Sequence, residues 1–376
     1  MMQLVYLSPV SWGSFAQRPH KFVEWYRRRT NGRVLWVEPY PTRLPAWTDL
    51  RRQEAARANQ SSRATPVWLE ILNPPSMPVE PLPVVGRINR LMWRRTIAQI
   101  VEFCSRAPTV VVVGKPSALA LEVIARLPGT TSLYDAMDDF PAFYTGLSRA
   151  AMARNEQLLV QRVTHIAASA TFIMQRWSNL RTDIRLVHNG LDADALPEPK
   201  VPEARSEQSV FGYVGTIAAW FDWDWVIALA HARPHDLIKL IGPLFEPAGR
   251  VLPPNIELHP QRMHAGALAA MREFDVGLIP FRRTLLTQSV DPIKYYEYRA
   301  LGLPVISTRF GEMIARDGEE GTFINNDVSD IAASAARALR YRPNAEAIEL
   351  FRRMNDWDAR FTQLGQLLEL PKSGAR

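Results

Sequence analysis

The stretch Asp291-Pro-Ile-Lys-Tyr-Tyr-Glu-Tyr-Arg-Ala-Leu-Gly-Leu-Pro-Val-Ile-Ser-Thr308 joins a helix start, an acidic side chain and a buried strand in one short run. Asp291 reads as an N-cap with Pro292 at the first helical position, where a missing N–H costs nothing. Lys294, Glu297 and Tyr298 then share one face near the helix N-terminus. Gly302 stops the helix, and Pro304-Val-Ile-Ser reads as a short buried strand with a β-branched core. In an open α/β sheet such helix starts lie beside strand C-ends, where free N–H groups favour phosphate.

Working outward, the chain opens with a strand at Leu4–Leu7, a loop from Ser8 to Arg18, a helix through Phe22 to Arg29 and a strand at Arg33–Glu38, which together form a βαβ unit. A proline- and arginine-rich stretch from Pro39 to Pro83 interrupts the alternation, with a strand expected near Val67–Ile71. Further strands are expected at Thr109–Val113, Ser132–Asp135 and Thr164–Ala168, the last followed by Ser169 as a helix cap. Ile184–Gly190 reads as a closing strand and turn, and Pro197–Gln208 as a linker without apolar periodicity. The pattern then restarts with Val210–Gly215, Leu237–Ile241, Ile256–His259, Val276–Pro280 and Val305–Ser307. The expectation is an α/β protein of two Rossmann-like domains whose strand C-ends face each other across a ligand cleft.

Composition agrees with a folded protein of two ordinary domains: 376 residues, 47% hydrophobic and 22% charged. Apolar stretches such as Val110–Val113 are far short of a membrane span, and no signal peptide is visible. The single cysteine, Cys104, excludes an internal disulfide framework and a multi-cysteine metal site, so a reducing cytoplasm is the expected location. A net charge of +7 favours an anionic partner. Neither zinc-finger spacing nor an RNP-like aromatic motif is present, so nucleic acid is not expected as the partner. Arg87, Arg90, Arg94 and Arg95 surround Leu91, Met92 and Trp93, with Ile97, Ile100, Val101 and Phe103 continuing the apolar face. That helix either lies on an anionic membrane surface or turns its apolar face to the core with solvated arginines.

The opening segment, a glutamate followed by a hydrophobic helix and Gly302-Leu-Pro-Val305, resembles the donor-site signature of GT-B fold glycosyltransferases. The resemblance extends along most of the chain. Asn189-Gly-Leu-Asp192 is similar to the interdomain signature, Gly212-Tyr-Val-Gly215 to the first strand of the second domain, Ile241-Gly-Pro243 to the strand end beside the base, and Asp356-Trp-Asp-Ala-Arg360 to the start of the final helix. The resemblance implies the GT-B fold, with an acceptor-binding domain at 1–195, a donor-binding domain at 196–356 and a C-terminal helix, 357–376, crossing back to the first domain. It further implies a glycosyltransferase acting on a nucleotide-diphosphate sugar, with no cofactor and no metal, similar to bacterial transferases of exopolysaccharide, capsule and teichuronic-acid assembly. The acceptor is expected to be a glycan or a saccharide on a polyprenyl pyrophosphate, reached at the inner face of the plasma membrane. A nucleotide-sugar epimerase and a non-catalytic glycan-binding or scaffold subunit on the same fold are the alternatives.

The family's ribose ligand maps onto Glu297. The second glutamate that many retaining members carry eight residues earlier is replaced by Ser289, which favours inversion. Glycosyl transfer needs stabilisation of the departing diphosphate. Gly215 and Thr216 could bring backbone N–H groups near it, with Lys294 at the helix start and Arg282 and Arg283 at a strand C-end as cations. The usual phosphate clamp is replaced by Thr216–Asp222, leaving Trp220 and Asp222 to shape a sugar pocket. Gly242, Pro280 and Tyr295 complete the expected donor site. For inversion a base must take the acceptor proton. Asp138 and Asp139 follow a strand, and a neighbouring carboxylate raises a partner's pKa. The loop resembles that of inverting bacterial glucuronosyltransferases, which implies Asp138 as base and Asp139 as its neighbour or an acceptor contact; the alternative is an N-cap for the helix from Pro141. Trp12, Gly13, Ser14, Arg18 and His20, in the loop after the first strand, are the expected acceptor contacts, with Trp12 stacking on a sugar face. A lone histidine at a helix start is more often a cap or a satisfied polar group than a catalytic one, which is the alternative for His20.

Overall fold

The computed structural model describes residues 1–42, 64–77, 83–199 and 208–371. Much of the proline- and arginine-rich stretch, most of the 197–208 linker and the end of the final segment lie outside these residues. The chain forms two compact units, Met1–His188 with Phe361–Arg376, and Asn189–Arg360.

The first unit carries seven parallel strands, β1 (Gln3–Leu7), β2 (Val34–Val37), β3 (Leu69–Leu72), β4 (Thr109–Val113), β5 (Ser132–Ala136), β6 (His165–Ala168) and β7 (Arg185–Leu186), in the order β3-β2-β1-β4-β5-β6-β7. The second carries six, β8 (Val210–Val214), β9 (Leu237–Ile241), β10 (Ile256–His259), β11 (Val276–Ile279), β12 (Val305–Thr308) and β13 (Thr322–Asn325), in the order β10-β9-β8-β11-β12-β13. The two halves read from the sequence are thus two doubly wound sheets. β13 was not anticipated, because Thr-Phe-Ile-Asn is short and mixes polar with apolar residues. Strand order reverses between β1 and β4 in one sheet and between β8 and β11 in the other, and ligands bind beyond strand C-ends at such reversals.

Burial explains the strands. Helices cover both faces of a parallel sheet, so strands such as Val34-Leu-Trp-Val37 and Thr109-Val-Val-Val-Val113 read as continuous apolar runs. Each fully buried Val, Leu or Phe contributes roughly 1.5–3 kcal/mol over an exposed one. In the second unit the Ile293–Ala300 helix is seated by Tyr298. Its ring lies where a side chain on Gly277 would project, since a Cβ there would meet the ring at 2.4 Å, and its hydroxyl accepts the Val214 N–H at 3.1 Å.

The chain enters the second unit earlier than the expected 195/196 and leaves it later than 356/357. Asn189 already donates its backbone N–H to Asp291 Oδ2 at 2.6 Å, and Arg360 Nε donates to the Asn189 carbonyl at 3.1 Å. These bonds draw residues 189–195 and 357–360 into the second unit, although the final helix, Trp357–Leu367, starts where expected. Ser169 is not a cap: the Thr171–Trp177 helix is preceded by Ala170, and Ser169 Oγ donates to the Met137 carbonyl at 2.8 Å.

The arginine-flanked segment forms two helices that meet at Trp93, Pro83–Met92 and Arg94–Ser105. Ile97, Ile100 and Phe103 of the Arg94–Ser105 helix are core residues. The preceding helix, Pro83–Met92, instead turns Ile88, Leu91 and Met92 outward, with Leu91 57% exposed, among the exposed Arg87 and Arg90. It faces inward through Asn89, which bonds the Met77 backbone with both ends of its amide, and is followed by buried Trp93.

Candidate functional site

In the second unit the C-ends of β8 and β9 cross closely. A Cβ on Gly242 would lie 2.0 Å from the Gly215 carbonyl oxygen, so backbone packs directly on backbone. The loop leaving β8 is then laced to its neighbours. Tyr213 Oη donates to the Thr216 carbonyl at 2.9 Å, Ile217 pairs with Leu244, Phe221 pairs with Phe281, and the Arg282 N–H donates to the Trp220 carbonyl at 2.7 Å. Pro280 accepts the Asp222 N–H at 2.8 Å. Asp222, partly exposed, caps the Trp223–Ala232 helix by accepting from the Trp225 N–H at 3.1 Å through Oδ1. Beside this platform opens a largely apolar cavity of about 330 Å³ lined by Ile217, Gly242, Pro243, Leu258, His259 and Pro260 among others.

The donor-signature helix runs Ile293–Ala300, and its cap is Pro292, not Asp291. Asp291 is buried and occupied: it accepts from Asn189 N–H, from the Tyr296 hydroxyl and from Arg316, whose pairing with it holds that guanidinium more firmly charged than usual despite burial. The helix start is therefore anchored from beneath, leaving its first N–H groups uncapped by a side chain. Glu297 is 6% exposed and pairs with Lys294 at 2.9 Å. Glu297 and Lys294 are thus brought together, the lysine half-exposed. Tyr295 belongs to the core: it is 2% exposed, lies under Arg316 at 4.0 Å and bonds Glu319. It is not a donor contact. Arg282 is 43% exposed and 3.8 Å from Glu246, whereas Arg283 bonds the carbonyls of Asn325 and Asn326 at the end of β13. Ser289 is buried and donates to the Leu286 carbonyl at 3.1 Å.

In the first unit Asp138 lies just beyond β5, half-buried. Burial pushes its carboxyl up to about 7; Arg18 opposes the rise, and the neighbouring Asp135 and Asp139 add to it. Sequence reasoning missed the buried scaffold around it. Asp135, fully buried within β5, takes a forked bond from Arg18 at 2.8–3.1 Å, and Arg18 continues to the carbonyls of Val187 and His188. Asp139 pairs with Arg176 at 2.6 Å, and Arg176 also grips both oxygens of Glu156, at 2.8 and 2.9 Å. Tyr134 donates to that same glutamate at 2.8 Å, and burial pushes the Glu156 carboxyl up to about 7. Asp139 is held in this network, and its side chain does not cap the Phe140–Phe143 turn. The signal for Glu156 was its place among apolar residues in the Gly146–Arg162 helix, which a periodicity reading takes for a solvated position.

The loop after β1 departs most from expectation. Trp12 is 2% exposed, edge-on to Trp36 at 5.1 Å, so it is a core residue and does not stack on a sugar. His20, fully buried, takes the capping role. The Gln17 N–H can only donate, so His20 Nδ1 accepts it at 3.2 Å and Nε2–H donates to the Trp12 carbonyl at 3.2 Å. Arg18 faces the Asp135 pair and is 3% exposed, so it positions β5 and does not reach an acceptor. Gly13 and Ser14 stay partly exposed, and Ser14 Oγ donates to the Ser11 carbonyl at 2.7 Å.

No protein-family model matches the chain. A Bacillus subtilis (strain 168) protein named as a teichuronic acid biosynthesis glycosyltransferase, TuaH, is 24% identical over 199 residues, a match spanning 47% of this chain and half the length of that relative. Among solved structures, sucrose-phosphate synthase from Thermosynechococcus elongatus superposes with a TM-score of 0.67 at 12% identity, covering 98% of each chain. Anabaena HepE, solved in complex with UDP and glucose, gives 0.65 at 13% identity, covering 98% of this chain and all of that one. At these identities the likeness speaks to architecture, and with two doubly wound parallel sheets matched over nearly the whole chain, the protein has the GT-B fold of these glycosyltransferases.

Proposed function

We propose that this protein is a metal-independent glycosyltransferase that moves a sugar from a nucleotide-diphosphate sugar to a saccharide acceptor in bacterial cell-surface polysaccharide synthesis. The observation that carries the reading is Glu297. It is a buried carboxylate on a helix whose start is anchored from beneath, in the unit where the Gly215 and Gly242 backbones pack directly on each other at the ends of β8 and β9. In this reading Glu297 holds the ribose hydroxyls, which donate to carboxylate oxygens. The cavity beside Gly242 and Pro243 takes the base. Thr216, Pro280, Arg282 and Lys294 border the diphosphate and sugar. Asp138 takes the proton from the acceptor hydroxyl as that oxygen bonds to the anomeric carbon and the bond to the diphosphate breaks, giving inversion. A carboxyl titrating near 7 is matched to that task.

The acceptor in this reading is a saccharide on a polyprenyl pyrophosphate at the inner face of the plasma membrane. Support comes from the Pro83–Met92 helix, which offers Ile88, Leu91 and Met92 with Arg87 to an anionic surface, Arg90 beside them being paired with Glu122 at 2.9 Å. Among the described residues no helix is long and apolar enough to cross a membrane.

The test is binding and turnover with UDP, GDP and dTDP sugars, starting with UDP because HepE was solved with it, followed by thermal shift and nucleotide release. Glu297→Ala is expected to weaken nucleotide binding by about 10–100-fold, the worth of hydrogen bonds to a charged group. If no nucleotide stabilises the wild-type protein, the proposal fails.

A further inference from the structure

The strand-order reversal of the first unit, between β1 and β4, holds a recess that the assignments above leave unused. Its walls include Ser8 after β1, Glu38 and Thr42 after β2, and Lys115 and Ser117 after β4, and it encloses about 20 Å³. A volume of that size admits one water-sized group.

Two charged side chains on its wall have unused capacity. Glu38 Oε1 accepts the Trp12 N–H at 2.9 Å, and Oε2 has no partner among the described residues. Lys115 makes no ion pair among the described residues. Its ammonium donates to Thr42 Oγ1 at a long 3.4 Å and lies 5.9 Å over the Tyr144 ring, while Thr42 and Tyr144 share a 2.8 Å bond between their hydroxyls. Lys115 thus keeps donors to give and Glu38 keeps an acceptor oxygen.

We infer that this recess is a saccharide subsite, in which one hydroxyl or hydroxymethyl group of a sugar donates to Glu38 and accepts from Lys115. A hydroxyl does both at once, whereas a carboxylate or phosphate would meet the Glu38 charge and exceed the space. β4 and β5 are neighbours in register, Val113 opposite Tyr134, and Lys115 and Asp138 lie just beyond their ends. In the order β2-β1-β4-β5 the recess lies one to two strands from Asp138, roughly 5–10 Å at the usual strand spacing, so a sugar with one hydroxyl in the recess extends toward Asp138. The role of this sugar as acceptor rests on the transferase reading; the saccharide site itself does not.

The test is ligand-observed saturation-transfer NMR with the methyl glycosides of glucose, galactose, mannose and glucuronic acid, on wild-type protein and on Lys115→Met and Glu38→Gln. The expected result is a neutral glycoside whose Kd rises about ten-fold in each variant, the worth of one hydrogen bond to a charged group. Nucleotide affinity and the thermal midpoint should stay unchanged, and Lys115→Arg should restore part of the binding. Binding that is absent in the wild-type protein, or unchanged in both variants, overturns the subsite. Saccharide binding lost in the variants of a protein that binds no nucleotide leaves the subsite standing and removes the transferase reading.

Discussion

Replacing Asp138 with asparagine should stabilise the protein and abolish turnover together, and the stabilisation should depend on pH in one direction. The carboxyl is raised from 3.8 to about 7 in the folded chain, chiefly by burial. Between those values the unfolded chain releases the proton while the folded chain keeps it, so wild-type stability falls as pH rises. The term is fully favourable below 3.8 and is lost as pH passes through about 7. That interval corresponds to an upper limit of ~4 kcal/mol. Asp138 keeps some contact with solvent, so a difference of ~2–3 kcal/mol is expected once screening is allowed for. Asparagine carries no ionisable proton, and Glu156, which titrates in the same range, is present in both proteins and cancels. Urea unfolding of both proteins between pH 5 and 8.5 should show the asparagine variant gaining steadily until about pH 7.5 and then holding level. Turnover should fall by at least about 100-fold with nucleotide affinity preserved. A stability difference that stays flat with pH, or favours wild type at pH 8, refutes the argument that burial loads this carboxylate.

Arg18→Met removes one partner of a pair in which Asp135 is fully buried, and leaving that charge alone should cost about 3–5 kcal/mol in chemical unfolding. Gly242→Ala places a Cβ against the Gly215 carbonyl oxygen; the resulting separation of the β8 and β9 ends should lower nucleotide affinity measured by calorimetry, while Gly249→Ala, where the added Cβ meets nothing, serves as the control for backbone strain alone. Leu91→Glu on the outward face of the Pro83–Met92 helix should reduce sedimentation with phosphatidylglycerol vesicles several-fold and leave soluble-substrate turnover intact; unchanged sedimentation removes the membrane contact.

The strands were legible because buried parallel sheets demand unbroken β-branched apolar runs bounded by turn residues. Val110–Val113 and Val276–Ile279 needed no context. The donor helix was legible too, since Gly302-Leu-Pro-Val305 punctuates it. What could not be read was the direction of side chains in loops. Trp12, Arg18 and Tyr295 have the chemistry of ligand contacts, and each is enclosed by partners distant in sequence: Trp36, Asp135 and Glu319. Asp291 illustrates the same limit, because the local preference for capping lost to a buried arginine supplied twenty-five residues later. Glu156 and Arg176 form their network only once β5 and two helices are packed, so neither residue had a local signature.

The anchor at Asp291 also governs how the second unit comes apart. Asn189, where the chain enters that unit, is fixed to Asp291 by two bonds; Arg360, where it leaves, donates to the Asn189 carbonyl and lies over Tyr296, whose hydroxyl returns to Asp291. Entry, exit and the helix carrying Glu297 therefore form one closed polar ring, and amide hydrogens of residues 189–191 and of the Ile293–Ala300 helix should exchange as a single opening unit. Fraying the ends of this unit, by cleavage or by a stray mutation at the crossing, would loosen the helix that carries Glu297 before it touched the sheet.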